Sequence, residues 1–536
     1  MAGVITRAQW SADTDPVWLL TIIFAGRAYR WSLYPVAPLD ADGEPVPHDG
    51  GLDSLNFSDR MELVASEPDL QSIPFELYFA GGVAELIEQG HELGAATGEL
   101  SLWAPGTTYE KRQVMLQGKV VNPEYGADDE PVRFSLEEQT YDDRSSLIAA
   151  SAKLSADTWA NHHPDQEGRY YPIIIGTPGV VPGGTNTRGS PALIVDWDTG
   201  VSPERADKIL IAGHRVRATQ VTVYNASGTT ISGTVTHESD SLGRTVATID
   251  ISGAATSFRE SATFYILWSH SSGGGLRSGA SNTLRGAGEV LEYILNRTTL
   301  TIDAGRVAAV ASRLNAYSLS GYITEPANAW RYCVENLLPL LPITIRTGPS
   351  GLYPVLFDWL ATSKDAVEHI TREPGTAREG LVMYDTQPSD VVNEVRFRYA
   401  YDAEKSKHTV QTTHLGKKTF SSATDEVTSL TALTSLQRYG NRVLELTSDL
   451  VYAKSTALYV TSWHIAKDGL LRRRVQYRTT RARAWLRAGD VVTLTDSELH
   501  LSSRVALVEE VRISSDDDLL LSLLLLEYPT RDPKTG

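Results

Sequence analysis

The 536-residue chain has one cysteine, Cys333, so no disulfide forms within it and no cysteine cluster can hold zinc or an iron–sulfur centre. Basic surplus is missing as well: 49 Lys and Arg stand against 66 Asp and Glu, a formal net charge of −17. A protein that coats nucleic acid or anionic lipid must neutralise phosphates, so this balance argues against both. Long apolar runs are lacking too. The longest, Val17–Ala25 and Leu519–Leu526, are too short to span a bilayer. Met1–Trp10 has no basic region leading into an apolar stretch, so no secretory leader is expected.

Motifs of the common catalytic classes are also missing. No phosphate-binding Gly-x-x-x-x-Gly-Lys-Ser/Thr, no His-Glu-x-x-His and no Gly-x-Ser-x-Gly occurs. Gly273–Gly275 and Gly286-Ala-Gly288 lack the spacing of a dinucleotide loop and read as linker. His162-His163-Pro164-Asp165 has no second cluster to complete a metal site. Asp40-Ala-Asp42-Gly43-Glu44 lacks the acids a calcium loop needs. The sequence therefore nominates no catalytic, metal or cofactor residue.

What is present reads as mainly β with some α, an α+β chain. Hydrophobic residues make up 41%, and Gly and Pro number 42 and 25, which suits a turn-rich globular protein. At roughly 100–200 residues per domain the length suggests about three to five domains. Val17–Phe24, the turn Ala25-Gly26 and Arg27–Trp31 read as a hairpin. Val132–Glu137 alternates as a half-buried strand does. Val83–Ala96 and Asp142–Ala160 read as helices, the second capped by Asp142 or Asp143. Gly176–Ser190 and Ser269–Gly288 are linker-like. Between them five strands, at about a dozen residues' spacing, predict a small sandwich or barrel. Helices are expected over Glu289–Asn296, Asp303–Asn315, Ala327–Leu338, Thr428–Tyr439 and Ser455–Ile465.

Two stretches match at a constant offset of 391 residues. Gly98-Glu-Leu-Ser-Leu-Trp103 stands against Gly489-Asp-Val-Val-Thr-Leu494, and Val114–Val120 against Val505–Val511. Each runs into an acidic turn, Glu124–Glu130 or Asp516–Asp518, then an apolar strand. The pattern is a three-strand meander occurring twice, from duplication or from the general likeness of short meanders. Seven arginines fall between Arg472 and Arg487, with Arg472, Arg473 and Arg474 consecutive. Such a strip suits nucleic acid, an acidic protein surface, or the solvated face of an edge strand.

The C-terminal half carries a succession of weak motifs: Val391–Tyr399, Ser435–Gly440, the helix at Ser455–Trp463, Leu486–Val492 and the last hairpin, Arg504–Tyr528. With Leu337–Pro342, Gly351–Pro354 and Gly118–Val121, this order resembles the tail-tip or baseplate hub proteins of long-tailed bacteriophages and gene-transfer agents. The likeness covers about two thirds of the chain and leaves out the β-domain near 190–268.

The resemblance implies a first hub β-barrel domain at 1–140, a helix and linker at 141–187, and an inserted all-β domain at 188–270. A helical, mixed domain at 271–380 and a second hub barrel at 381–536 follow. It implies a structural virion protein that is not an enzyme and has no cofactor. Such a hub is a homotrimer whose two barrels make a pseudo-sixfold ring closing the tail tube until DNA passes. Its partners are the tail tube or distal tail protein, the tape-measure protein and tip or fibre proteins, with no sequence-specific nucleic acid and no stable membrane insertion. It is made in the host cytoplasm and sits at the distal end of the tail.

Asp128, Asp129, Glu130, Asp516, Asp517 and Asp518 are then expected at barrel ends, facing the lumen or a ring neighbour, with Arg472–Arg474 as interface. A second expectation is host recognition through carbohydrate. Trp197, Tyr224, Phe264 and Trp268 of the inserted domain are the sugar-stacking candidates, and packing of the core is the other use for them. A cell-wall-degrading enzyme is a third reading, supported by the tail-tip context alone.

Overall fold

The computed structural model describes residues 16–52, 55, 57–60, 72–78, 87–125, 131–138, 145–268, 284–346, 348, 350–372, 377–380, 391–415, 425–479, 483–513 and 519–526. Strands dominate, so the mainly-β expectation is met.

The N-terminal sheet has seven strands. Its order is Asp49–Gly50, Arg27–Ser32, Val17–Phe24, Thr97–Trp103, Gln113–Glu124, Val132–Glu138, Ser72–Leu77. The hairpin at its start turns on Ala25 and Gly26, both at positive φ (50° and 77°). That geometry matches the twist of the strands on either side. The C-terminal sheet runs Glu368–Thr371, Val491–Asp496, Leu501–Ile513, Leu519–Leu525, Arg474–Thr479, Ala377–Gly380. A further strand, Phe57–Arg60, pairs with Leu501–Ile513 from far away in the sequence.

The two sheets face each other across one apolar core. Leu100, Leu116, Phe134 and Leu136 come from the first, and Val492, Leu494, Val508 and Leu521 from the second. Each large aliphatic buried there contributes about 1.5–3 kcal/mol.

A second core lies under the middle of the chain, where helices Ala287–Leu295 and Ala304–Leu314 pack with the sheet Asp425–Thr428, Lys407–Leu415, Glu394–Asp402, Val443–Thr447. Asp303 caps its helix as expected, accepting from the Arg306 amide at 3.0 Å. The helix expected over Ala327–Leu338 begins at Ala329, widens to a π-turn at Cys333–Leu337 and ends at Leu338–Leu340, where Pro339 stops it. Cys333 is fully buried there, and burial pushes its thiol up to about 12.

One helix expectation fails and another is met in part. Residues 145–160 form turns and isolated bridges rather than a helix, with Leu147, Ile148 and Leu154 reaching different cores. The spacing of apolar residues there reflects separate anchor points. Within Val83–Ala96, residues 87 and 88 are helical; Gly90 at φ 87° then ends the helix and Leu93–Ala95 makes one 3-10 turn. Positions 83–86, 142 and 143 lie outside the described residues.

The inserted domain is a closed six-stranded barrel, ordered Ser190–Asp198, Arg205–Ala212, Thr245–Asp250, Thr230–Ser239, Gln220–Asn225, Phe264–Leu267. Gly233 lies against the packed interior: a Cβ there would meet Ile249 at 2.9 Å and Val223 at 3.0 Å. The glycine-rich stretch before the barrel is packed. Gly189 sits so close to Pro178 and Ile266 that a Cβ would strike both carbonyl oxygens at 2.4 and 2.3 Å. Thr187 donates to the Tyr401 carbonyl at 3.1 Å, and Arg188 pairs with Glu404. The barrel is therefore seated on the middle sheet.

Four histidines, His48, His214, His414 and His464, are held by burial at about 4, below the ordinary 6.5. The neutral ring is the form that fits, so the stability they carry is present above pH 6.5 and lost as pH falls through 6.5 to about 4. Each contributes a slope of up to about 1.4 kcal/mol per pH unit in that window. Thermal unfolding followed from pH 7 to 4 is expected to show a falling midpoint. His464→Gln keeps a donor for the Pro339 carbonyl, 3.0 Å from His464 Nε2, and is expected to flatten that fall.

Candidate functional site

Among the described residues no enclosed constellation of acid, base and nucleophile stands out. Among the described residues no group of three His, Cys, Asp or Glu side chains is placed to hold a metal ion. His163 instead packs its ring on Trp197 at 4.5 Å and accepts from the Asp165 amide at 3.2 Å. Asp40 closes its own turn, accepting from the amides of Asp42 at 2.9 Å and Glu44 at 2.8 Å. The feature with functional content is the repeated sheet.

The repeat is present as backbone. Thr97–Trp103, Gln113–Glu124 and Val132–Glu138 form one antiparallel meander, and Val491–Asp496, Leu501–Ile513 and Leu519–Leu525 form another. A fourth strand extends the match. Ser72–Leu77 pairs with the third strand of the first meander and Arg474–Thr479 with the third of the second, both antiparallel. In each case that strand precedes the meander in sequence.

The residue-by-residue match differs from the gapless one that the sequence suggests. Leu100 pairs with Leu116 and both face the shared core, whereas Val491 and Leu507, 391 residues later, face a separate cluster on the other side of their sheet. The core-facing equivalents are Val492 for Leu100, Leu494 for Leu102, Ala506 for Leu116 and Val511 for Val120. A shift of one residue turns every side chain to the opposite face. Bulges in the middle strands absorb it, among them Met115 in the first and Glu509 in the second. The third strands return after connections of different length: Val120 pairs with Leu136, and Val511 with Leu521.

The bulged residues meet arginines of the dense strip. Glu509 forms a two-pronged ion pair with Arg474, and the Met115 sulfur lies 3.0 Å from Arg487 Nη2. Arg472 is buried, bonded to the Ala466 carbonyl, and Arg473 is half-buried with its carbonyl accepting from Leu525 at 3.0 Å. Arg483 donates to Thr479 at 2.7 Å. The strip thus works inside the chain, tying the strand Arg474–Thr479 and the turn after it to their neighbours. Nothing in the sequence marks Arg474 and Arg487 as paired, because Glu509 and Met115 lie 35 and 372 residues away from them. Asp128, Asp129, Glu130, Asp516, Asp517 and Asp518 lie outside the described residues.

The four aromatic candidates separate. Phe264 and Trp268 are buried in the barrel core, Phe264 against Phe258 at 5.6 Å and Trp268 donating to Ser190 at 2.8 Å, so neither has a face for a sugar. Trp197 is half-buried and donates to Glu204 at 2.9 Å; Tyr224 is half-buried beneath the Arg188 guanidinium at 5.5 Å.

No protein-family model matches the chain, and no curated protein matches it. Among solved structures, phage tail proteins align with the chain at low identity. A tail protein from Neisseria meningitidis aligns at 9% identity and TM-score 0.38, over 95% of this chain and 96% of that one. The 43 kDa tail protein of a Shewanella oneidensis prophage aligns at 8% and 0.38, over 95% and 98%. A chain from the virion of a gene transfer agent aligns at 11% and 0.37, over 68% and 87%. Likeness this distant carries no residue role across.

Because Leu102 and Leu494 are equivalent and both fully buried in the shared core, Leu102→Ala and Leu494→Ala are each expected to cost about 2–5 kcal/mol in urea unfolding. A loss at one position with none at the other would contradict the equivalence.

Proposed function

We propose that the chain is a structural protein of a phage-type tail, and more narrowly its tip or baseplate hub: a homotrimer whose six repeats ring the end of the tube. The observation that carries this reading is the duplicated four-strand sheet around a common core. A chain with two copies of one sheet lets three subunits present six similar elements, which is what a threefold body needs to meet a sixfold tube. The likeness to tail proteins gives the reading its direction, and the internal repeat gives it its weight.

In this reading the ring closes the tube until DNA passes, and the net charge of −17 repels the passing polyanion. The chain's neighbours are the tail tube or distal tail protein, the tape-measure protein and tip or fibre proteins. Its place is the distal end of the tail, after synthesis in the host cytoplasm. No step needs a catalytic group or cofactor. The acidic runs Asp128–Glu130 and Asp516–Asp518 belong at the ends of the repeats, towards the lumen or the next subunit.

Gold-labelled antibody against the chain, applied to tailed particles from the source culture and viewed by negative-stain electron microscopy, tests the placement. Label is expected at the distal tail end alone. Labelled material elsewhere, with bare tail ends, would overturn it. Native mass spectrometry of the dissociated tip is expected to give three copies per assembly.

A further inference from the structure

We propose that Asp59 and Arg487 form a two-way latch that locks the two repeats at one relative angle and makes them open as a single unit. The inference rests on contacts within this chain and does not depend on the tail reading.

The latch is reciprocal. From the first repeat's connection, Phe57–Arg60 crosses to the second sheet and pairs with its middle strand, Val511 opposite Asp59 and Glu510 opposite Arg60. Ser58 donates to Glu510 at 2.7 Å. Asp59, only 5% exposed, accepts from the Ala488 amide at 3.1 Å and forms an ion pair with Arg346 at 2.9 Å. In the other direction, Arg487 leaves the second repeat's turn and reaches the first repeat's bulge at Met115. The Gln113 side-chain amide faces the Arg487 guanidinium, and with its oxygen assigned to that side it accepts from Nε at 3.2 Å. The Arg487 amide is held by Asp490 at 2.8 Å, and its guanidinium also meets the carbonyls of Ala484 at 3.3 Å and Leu486 at 3.2 Å. Arg306 lies over the Tyr353 ring at 4.2 Å beside this group.

Apolar attraction is non-directional, so directional contacts between two packed sheets add to what fixes their angle. Charged hydrogen bonds in a dry junction are directional, and removing one partner strands the other. Arg487 and Asp59 stand on adjoining elements, since Asp59 holds the amide of Ala488, the residue after Arg487. Loosening either contact therefore frees both crossings.

Native-state hydrogen exchange under increasing urea on the full chain tests this. In the wild type, amides of residues 97–138 and 474–525 are expected to lose protection at one urea concentration, while the barrel at 190–267 follows its own curve. In Asp59→Asn the two repeats are expected to separate into two curves, with exchange in 113–124 at least tenfold faster. Arg487→Lys, which keeps the charge and loses the fork, decides the point if Asp59→Asn does not fold. Two separate curves in the wild type would overturn the latch. So would acceleration confined to 57–60 and 501–513 in both variants.

Discussion

The architecture depends on the apolar layer between the two related sheets. Trp18, Leu20, Ile22 and Phe24 of the first strand, and Leu519, Leu521, Leu523 and Leu525 of the last, are all buried in it. The two ends of the chain therefore form one body. The helical segment, the four-stranded middle sheet and the barrel are all strung between two halves of a single core. That arrangement requires a long excursion to leave and return without disturbing the layer, and the second core under residues 284–345 gives the excursion stability of its own. The barrel is carried further out on a packed neck, where Gly179 and Gly189 nearly touch and Arg188 reaches Glu404.

Much of this was legible in local sequence. Hairpins, caps and most helices follow from neighbours a few residues apart: Ala25-Gly26 at the first turn, Asp303 at a helix start, Ser429 accepting from Ala432 at 3.2 Å ahead of Leu430–Tyr439. The repeated meander was visible because its first two strands keep nearly the same spacing. Its true register was not. A single extra residue at Met115 or Glu509 leaves hydrophobicity almost unchanged while reversing which face is buried, and only pairing partners reveal it.

The fourth strand escaped for a different reason. Ser72–Leu77 and Arg474–Thr479 share position but little composition: one contains Pro74 and Glu76, the other Arg474 and Arg478. The aromatic candidates show the same limit from the other side. Tryptophan and phenylalanine suit a sugar face and a barrel interior equally well, and closure of the sixth strand against the first buries Phe264 and Trp268. Closure is a property of the whole domain that no window of sequence contains.

The crossing of Phe57–Arg60 also has a consequence in time. Ser58 and its partner Glu510 are 452 residues apart. At about 5–20 residues per second on the ribosome, the early strand waits roughly 20–90 s before its partner is made. Throughout that interval the second sheet lacks its middle strand, and the barrel and helices can fold while the body cannot. A chain broken off before residue 501 lacks two buried strands of the second sheet, Leu501–Ile513 and Leu519–Leu525, and leaves the shared core incomplete. The crossing thus ties completion of the shared body to the last strands made.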